Sequence, residues 1–388
     1  MAIKHWALSA LLVVSAAAQS QPYNFSVVAD LTGWGAFTAP ALTDSGTVLQ
    51  GLGNPNAQRL ELFHRGSAGV TLLDTSGALA SFANITPFPL NNAGTVAIRG
   101  TLDSGAEGIF TYGAQGLKTI ADNTGQFSGF GAPPSLPALN ESGEVAFYGQ
   151  LRSGASGVFL GNGSTITTLA STASAPYNGF LPVAVALNDR RDVAMVGNLA
   201  GSGQQLLLSR GGAPATPIID TTGPIASFGS LMHMNNSGSI AFVGNLDAGG
   251  STLFVWSAGQ LTPIMSALPG GGLFNPSIND RGAISFYWNQ GGSGHVMYLY
   301  RPETGVMRLV GAGDSFLSST VTETGRGLFS SVNSLNNLDE LAFHLFLDDG
   351  RQLLVLASPV PEPKLHALLL VGLLVLAARE RLNRRMLG

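Results

Sequence analysis

The sequence predicts an all-β protein, a seven-bladed β-propeller of four-stranded antiparallel blades closed by its N-terminal strand, and two observations carry that prediction. One unit recurs seven times. Asn140-Glu-Ser-Gly143-Glu-Val145-Ala146-Phe147 returns as Asn91 with Gly94 and Val96-Ala97-Ile98, and as Asn188 with Val193-Ala194-Met195. It returns again as Asn235 with Gly238 and Ile240-Ala241-Phe242, and as Asn279 with Gly282 and Ile284-Ser285-Phe286. Weaker copies stand at Thr43 with Gly46 and at Asn336 with Leu341-Ala342-Phe343. The anchors at 43, 91, 140, 188, 235, 279 and 336 are 48, 49, 48, 47, 44 and 57 residues apart. The second observation is that each unit holds four short apolar runs separated by turn residues, the pattern of a β-meander. Four strands per repeat of this length indicate propeller blades. An open array or β-solenoid is the competing arrangement, although solenoid coils are usually shorter, and weak end copies leave six or eight blades open.

Within a unit the elements follow in order. An apolar stretch such as Leu181 to Leu187 leads into the anchor turn. Asparagine can hydrogen-bond its own backbone two residues on, and glycine takes the positive φ that closes the turn. Arg191 and Asp339 occupy the glycine place in two copies; aspartate tolerates left-handed backbone, whereas arginine implies strain or a changed turn. A second strand, such as Val145-Ala146-Phe147, is apolar on both faces, as expected of a sheet packed between two others. Its alanine beside a large residue lets adjacent sheets interlock. Third strands such as Leu253-Phe-Val-Trp256 and fourth strands such as Leu117-Lys-Thr-Ile120 complete the unit.

The seventh unit ends near Ala357 with three strands. Its missing fourth is matched by Tyr23-Asn-Phe-Ser-Val-Val-Ala-Asp30, which resembles the fourth-strand ends Lys118-Thr-Ile-Ala-Asp122 and Thr71-Leu-Leu-Asp74. Residues 23–29 are therefore expected beside 351–357, removing an open edge. The long last spacing marks an insertion of roughly ten residues within Gly311 to Arg326, read as a tolerated insertion more than as a functional loop.

Composition excludes several function classes. The chain has no cysteine, which removes disulfides, thiolate metal sites and cysteine nucleophiles. Between residues 21 and 358 there are 13 basic and 21 acidic residues, a net charge of −8. With no basic stripe, a polyanion such as nucleic acid would be repelled.

Both ends read as addresses. Lys4 and His5, the apolar run Trp6 to Val14, and small residues Ser15 to Ala18 form a secretory signal peptide, residues 1–20. Residues 21–358 form the propeller, and 359–388 form a terminal segment: Pro361-Glu362-Pro363, an apolar run whose core is 365–378, then Arg379, Arg381, Arg384 and Arg385. The run is short for an ordinary spanning helix, and the arginines would hold its end on the cytoplasmic side. This order resembles the PEP-CTERM sorting signal of Gram-negative bacteria. The resemblance implies transient membrane insertion through a hydrophobic helix at 365–378, cutting by an exosortase near Pro361-Glu362-Pro363, and a mature protein at the cell surface or outside the cell. A plain inner-membrane anchor is the alternative.

The repeat resembles the choice-of-anchor tandem repeat proteins, with their Asn-x-x-Gly-x-x-Ala-Phe motif complete at Asn140-Gly143-Ala146-Phe147 and Asn235-Gly238-Ala241-Phe242. That resemblance covers residues 43–358 and implies export and surface display without an agreed enzymatic activity.

Chemistry-bearing motifs are absent from the sequence: no nucleophile elbow, zinc-protease helix, phosphate-binding loop or calcium loop occurs. No catalytic residue, cofactor site or metal site is assigned. His64, His233, His295 and His344 fall at different phases of the repeat and read as unrelated surface or core residues. Asp44, Glu141, Asp189 and Asp280 each follow an anchor, and with Asn92, Asn236 and Asn337 they are expected on one face, as an array for cations or sugar hydroxyls or as plain hairpin chemistry. Trp34, Trp256, Tyr287 and Trp288 read as core more than as sugar-stacking groups. The leading expectation is a non-catalytic, monomeric surface or matrix protein that binds exopolysaccharide or another surface protein. A polysaccharide-active lyase or hydrolase is the second reading, and it requires acid and base groups converging in one cleft. A structural coat protein is the third.

Overall fold

Seven antiparallel sheets form from the seven repeats, and each sheet is a propeller blade. The computed structural model describes residues 23–34, 36–54, 57–82, 88–131, 135–289, 294–325 and 334–360. Residues 1–22 and 361–388, with the signal peptide, the sorting motif Pro361-Glu362-Pro363 and Arg379, Arg381, Arg384 and Arg385, lie outside them. The described residues contain no helix. The propeller lies in the compact unit Phe25–Pro359.

Blade four shows the plan, with strands Tyr177–Leu187, Val193–Leu199, Gln204–Ser209 and Thr216–Asp220 paired in chain order. The first strands of blades four, five and six contact one another and line the axis. Second strands are almost wholly buried, as in Val145–Leu151 and Ile240–Leu246. Fourth strands such as Thr216–Asp220 are half to fully exposed and form the rim. This gradient explains why the polar/apolar alternation fails in second strands: both faces are covered by neighbouring blades.

The core is accordingly a series of clusters between blades. Ala97 of blade two packs with Phe147 and Phe159 of blade three. Ala194 of blade four packs with Ile240 and Phe242 of blade five, and Ala241 of blade five with Ile284 and Phe286 of blade six. A small side chain on one sheet makes room for a ring on the next, which is how close packing is kept between twisted sheets.

The anchor turns are as the sequence requires. Gly46, Gly94, Gly143, Gly238 and Gly282 have φ between 77° and 84°, and Arg191 and Asp339 share the left-handed region at 65° and 59°. Arg191 is held there by an ion pair from its Nε to Glu144 Oε1 of blade three at 3.0 Å. Asp339 pairs with Arg301 of blade six at 3.0 Å.

Ring closure matches the sequence expectation. Tyr23–Asp30 joins Gln352–Pro359 as the outer strand of blade seven. Leu31 N donates to Gln352 O at 2.7 Å and Ser26 Oγ to Leu356 O at 3.3 Å, so the two strands run antiparallel. Asp30 then accepts Thr32 N at 2.9 Å, as Asp74, Asp122 and Asp220 accept the backbone N–H two residues on. The shared aspartate that identified the clasp is thus the turn from a fourth strand into the next blade. The insertion folds back as a hairpin, Ser315–Phe316 against Ser319–Thr324. Phe316 and Phe343 both meet Phe25 edge-on, at 6.4 and 6.1 Å, and Ser319 donates to Asp348. The hairpin braces the clasp.

Candidate functional site

The residues after each anchor lie on one end of the propeller and hold one another. Each donates its backbone N–H to the side chain of its counterpart in the next blade. Asp44 donates to Asn92 (2.7 Å), Asn92 to Glu141 (3.0 Å), Glu141 to Asp189 (2.8 Å) and Asp189 to Asn236 (2.9 Å). Asn236 donates to Asp280 (2.7 Å), Asp280 to Asn337 (2.9 Å) and Asn337 back to Asp44 (2.8 Å). The circuit is closed. Every member must offer an acceptor oxygen one or two methylenes from the backbone, which restricts the position to Asp, Asn or Glu.

A second circuit lies beneath it. Asn188, Asn235, Asn279 and Asn336 each donate Nδ2 to the backbone carbonyl of the next anchor at 2.9–3.2 Å, as does Asn91. Their Oδ1 atoms accept the N–H four residues on, at 2.9 Å. The circuit is interrupted at Thr43, which has no amide, and at Asn140, whose Nδ2 donates to Glu144 Oε2. The anchor asparagine therefore closes its own turn and ties it to its neighbour.

Amides separate the carboxylates of the outer circuit. Asn92 Nδ2 bridges Asp44 and Glu141, and Asn337 Nδ2 bridges Asp44 and Asp280. A ring of seven cannot alternate strictly, and the misfit falls between Glu141 and Asp189. Burial pushes the Glu141 carboxyl above its usual range, the Asn92 backbone N–H opposes this, and the charges of Asp189 and Asp44 add to it. The expected acidic array is thus present, with its oxygens taken by neighbouring N–H groups. No cluster of three His, Asp or Glu residues able to hold a metal occurs among the described residues.

A pocket of about 480 Å³ opens at the same end between blades four and five. Arg190 and Asp192 come from the blade-four anchor turn, Arg210 from that blade's outer hairpin, Ser237 and Gly238 from the blade-five anchor turn, and Trp256 from its third strand. Asp192 is buried; its Oδ2 receives Arg190 Nη2 at 3.1 Å and its Oδ1 the Gly211 N–H at 3.0 Å. It fixes both the guanidinium and the loop that carries Arg210. A Cβ at Gly238 would lie 2.5 Å from Arg190 Nη2, so the glycine leaves room for the arginine. The sequence analysis did not find this site, because its residues span two repeats and three different phases. Trp256, read as core, is buried and also forms part of the wall.

The histidines occupy four unlike settings. His64 Nδ1 meets Thr47 Oγ1 at 2.9 Å, and His233 Nδ1 accepts Ile278 N at 3.0 Å. His344 is buried with Nε2 2.7 Å from Gln50 Oε1, and burial pushes its pKa down to about 3. His295, at the opposite end from the anchor turns, lies 3.3 Å from Glu323 and beside Tyr287, whose phenol burial keeps protonated. Trp34 is covered by the Arg59 guanidinium, 4.2 Å from the ring centre.

Solved structures share the architecture. The β-propeller domain of the Trilobed protease from Pyrococcus furiosus, described as having an open velcro topology, matches with a TM-score of 0.51 at 10% identity, over 72% of this chain and 85% of that one. A puromycin-hydrolyzing peptidase from Mycobacterium tuberculosis matches at 0.54 and 10% identity; the alignment covers 84% of this chain and 52% of the peptidase. The Aleuria aurantia lectin gives 0.43 at 10% identity, over 71% of this chain and 96% of the lectin. At such identities the likeness concerns the fold alone. No curated protein matches the sequence. A family model described as a family of unknown function (DUF7453) matches residues 14–252, more than half of the chain, and the chain therefore belongs to that family.

Proposed function

We propose that this protein is an exported cell-surface or extracellular-matrix propeller with a non-catalytic role, binding exopolysaccharide as a monomer through the end that carries the anchor turns. In this reading residues 1–20 are removed as a signal peptide. The terminal segment inserts transiently in the membrane and is cut by an exosortase at Pro361-Glu362-Pro363. The observation that carries the binding role is the pocket between blades four and five, where guanidinium and hydroxyl donors stand beside an indole on a rigid frame. Such a concave site with a few converging polar groups suits a ligand. The test is a glycan-binding screen of the purified protein, with capture of polysaccharide expected; silence against polysaccharides would overturn the binding role. Mass spectrometry of the mature C-terminus tests the processing, and an intact Arg385 on the surface-exposed protein would overturn it.

The His295–Glu323 pair favours a second reading, a polysaccharide lyase or hydrolase. Chain cleavage by the wild type that His295→Ala abolishes would establish it in place of the first.

A further inference from the structure

The charges at the blade seams differ in a way that points to a ligand class. At the seam of blades three and four, Arg191 is paired with Glu144 of the neighbouring blade. Between blades six and seven, Arg301 is paired with Asp339. Between blades seven and one, Arg65 is paired with Glu340. In each case an anchor-turn carboxylate neutralises the arginine across the seam. Blades four and five break the pattern. Blade four supplies two arginines, while the facing anchor turn of blade five offers Ser237, Gly238 and Ser239. Arg190 is tied to Asp192 within its own blade through one nitrogen, leaving most of its N–H groups uncommitted. The Arg210 guanidinium has no hydrogen-bond or ion partner among the described residues, and it is exposed at the mouth. The pocket therefore carries two guanidinium charges against one carboxylate, in a propeller whose net charge is −8.

We propose that this pocket binds the carboxylate of a uronic acid unit in an acidic polysaccharide, with Arg210 and Arg190 clasping the carboxylate in the place that a neighbouring blade's acid fills at other seams. Arginine presents paired N–H groups that match a carboxylate's two oxygens. The Ser237 and Ser257 hydroxyls and the backbone of the Gly211 loop stand where ring hydroxyls would be met. The negative charge of the remaining propeller disfavours extended polyanions, so recognition falls on the single carboxylate that fits the cavity. This inference rests on the polysaccharide-binding reading and names its ligand.

The experiment is isothermal titration of the full chain, and of its Arg210→Ala variant, with short oligogalacturonates and oligomannuronates. Their methyl esters, neutral glucan oligomers and sodium acetate serve as comparisons. Removing a charge-assisted contact is expected to weaken uronate binding about 10–100-fold, with the methyl esters similarly weakened. Arg210→Ala should keep the wild-type melting temperature, since that side chain holds nothing in the fold, and Arg210→Lys should recover part of the affinity. Uronate binding unchanged in Arg210→Ala, or neutral oligomers bound as well as uronates, would overturn this assignment while leaving the polysaccharide-binding reading intact. Acetate competing as well as the oligomers would reduce the site to an adventitious anion only, and overturn it. Silence toward charged and neutral chains alike would remove both.

Discussion

Acid should loosen the seam where the ring closes, through one side chain. His344 lies on the second strand of blade seven and its Nε2 is 2.7 Å from Gln50 Oε1 of blade one. Gln50 is fully buried, and its amide nitrogen is committed to Thr38 O at 2.7 Å and Gly51 O at 2.9 Å. Its oxygen therefore faces the imidazole, and His344 must hold its proton on Nε2. A second proton would place a charge in the core, so the folded-state pKa falls to about 3. The sign follows. Above pH ~6.5, the ordinary histidine value, neither state is protonated and His344 imposes no penalty. As pH falls from ~6.5 toward 3 the unfolded chain takes up a proton that the folded chain refuses. Stability then drops by up to about 1.4 kcal/mol per pH unit, or ~2 kcal/mol at pH 5. Urea unfolding of the wild type and His344→Gln at pH 7 and pH 5 isolates this, since other titrating groups cancel in the double difference. The variant should be less stable at pH 7 yet lose ~2 kcal/mol less than the wild type on acidification. An equal loss in both proteins would refute the burial argument.

Three further outcomes are expected. Deleting residues 21–30 should lower the melting temperature far more than shortening an exposed loop does, because it uncovers the backbone edge of Gln352–Pro359 and the Phe343 ring; differential scanning calorimetry showing a parent-like melt would remove the clasp. Arg191→Ala should cost about 1–2 kcal/mol in chemical denaturation, losing the Glu144 pair while keeping left-handed strain. Arg191→Gly should cost less than half of that. Glu141→Gln keeps the acceptor for Asn92 and ends the adjacency of two carboxylates, so the melting temperature at pH 7 should rise by about 1 °C. The rise should vanish below pH ~4.5, where the raised carboxyl is already protonated in both states.

The sequence revealed most of the fold because each repeat is governed by a few residues with narrow physical roles. Asn140 and Gly143 dictate a turn, Ala146 and Phe147 dictate a sheet buried on both faces, and Asp30 betrays a fourth strand detached from its blade. Even the exceptions were legible: Arg191 and Asp339 stand where the backbone must be left-handed, and it is. The site was less so. That Asp44 through Asn337 lie on one face follows from their common phase, but that their oxygens receive the next blade's N–H depends on blade spacing, which no local pattern encodes. The pocket was invisible for a related reason. Arg190, Arg210 and Trp256 are 66 residues apart end to end and meet only because a first turn, an outer hairpin and a neighbour's third strand reach the same seam.

The clasp also sets an order on biosynthesis. Ser26 and Leu356 are 330 positions apart, so the first ribbon to leave the ribosome has no partner until the last one follows. For that whole interval blade one stands at the head of an unfinished arc, and its neighbour across the seam does not yet exist. Partly built blades can pack locally as they emerge, whereas joining head to tail is a terminal, long-range event of the kind that slows folding. A nascent chain stalled before Gln352 would therefore accumulate as an open crescent with two adhesive edges, a state that a holding chaperone must shield until synthesis ends.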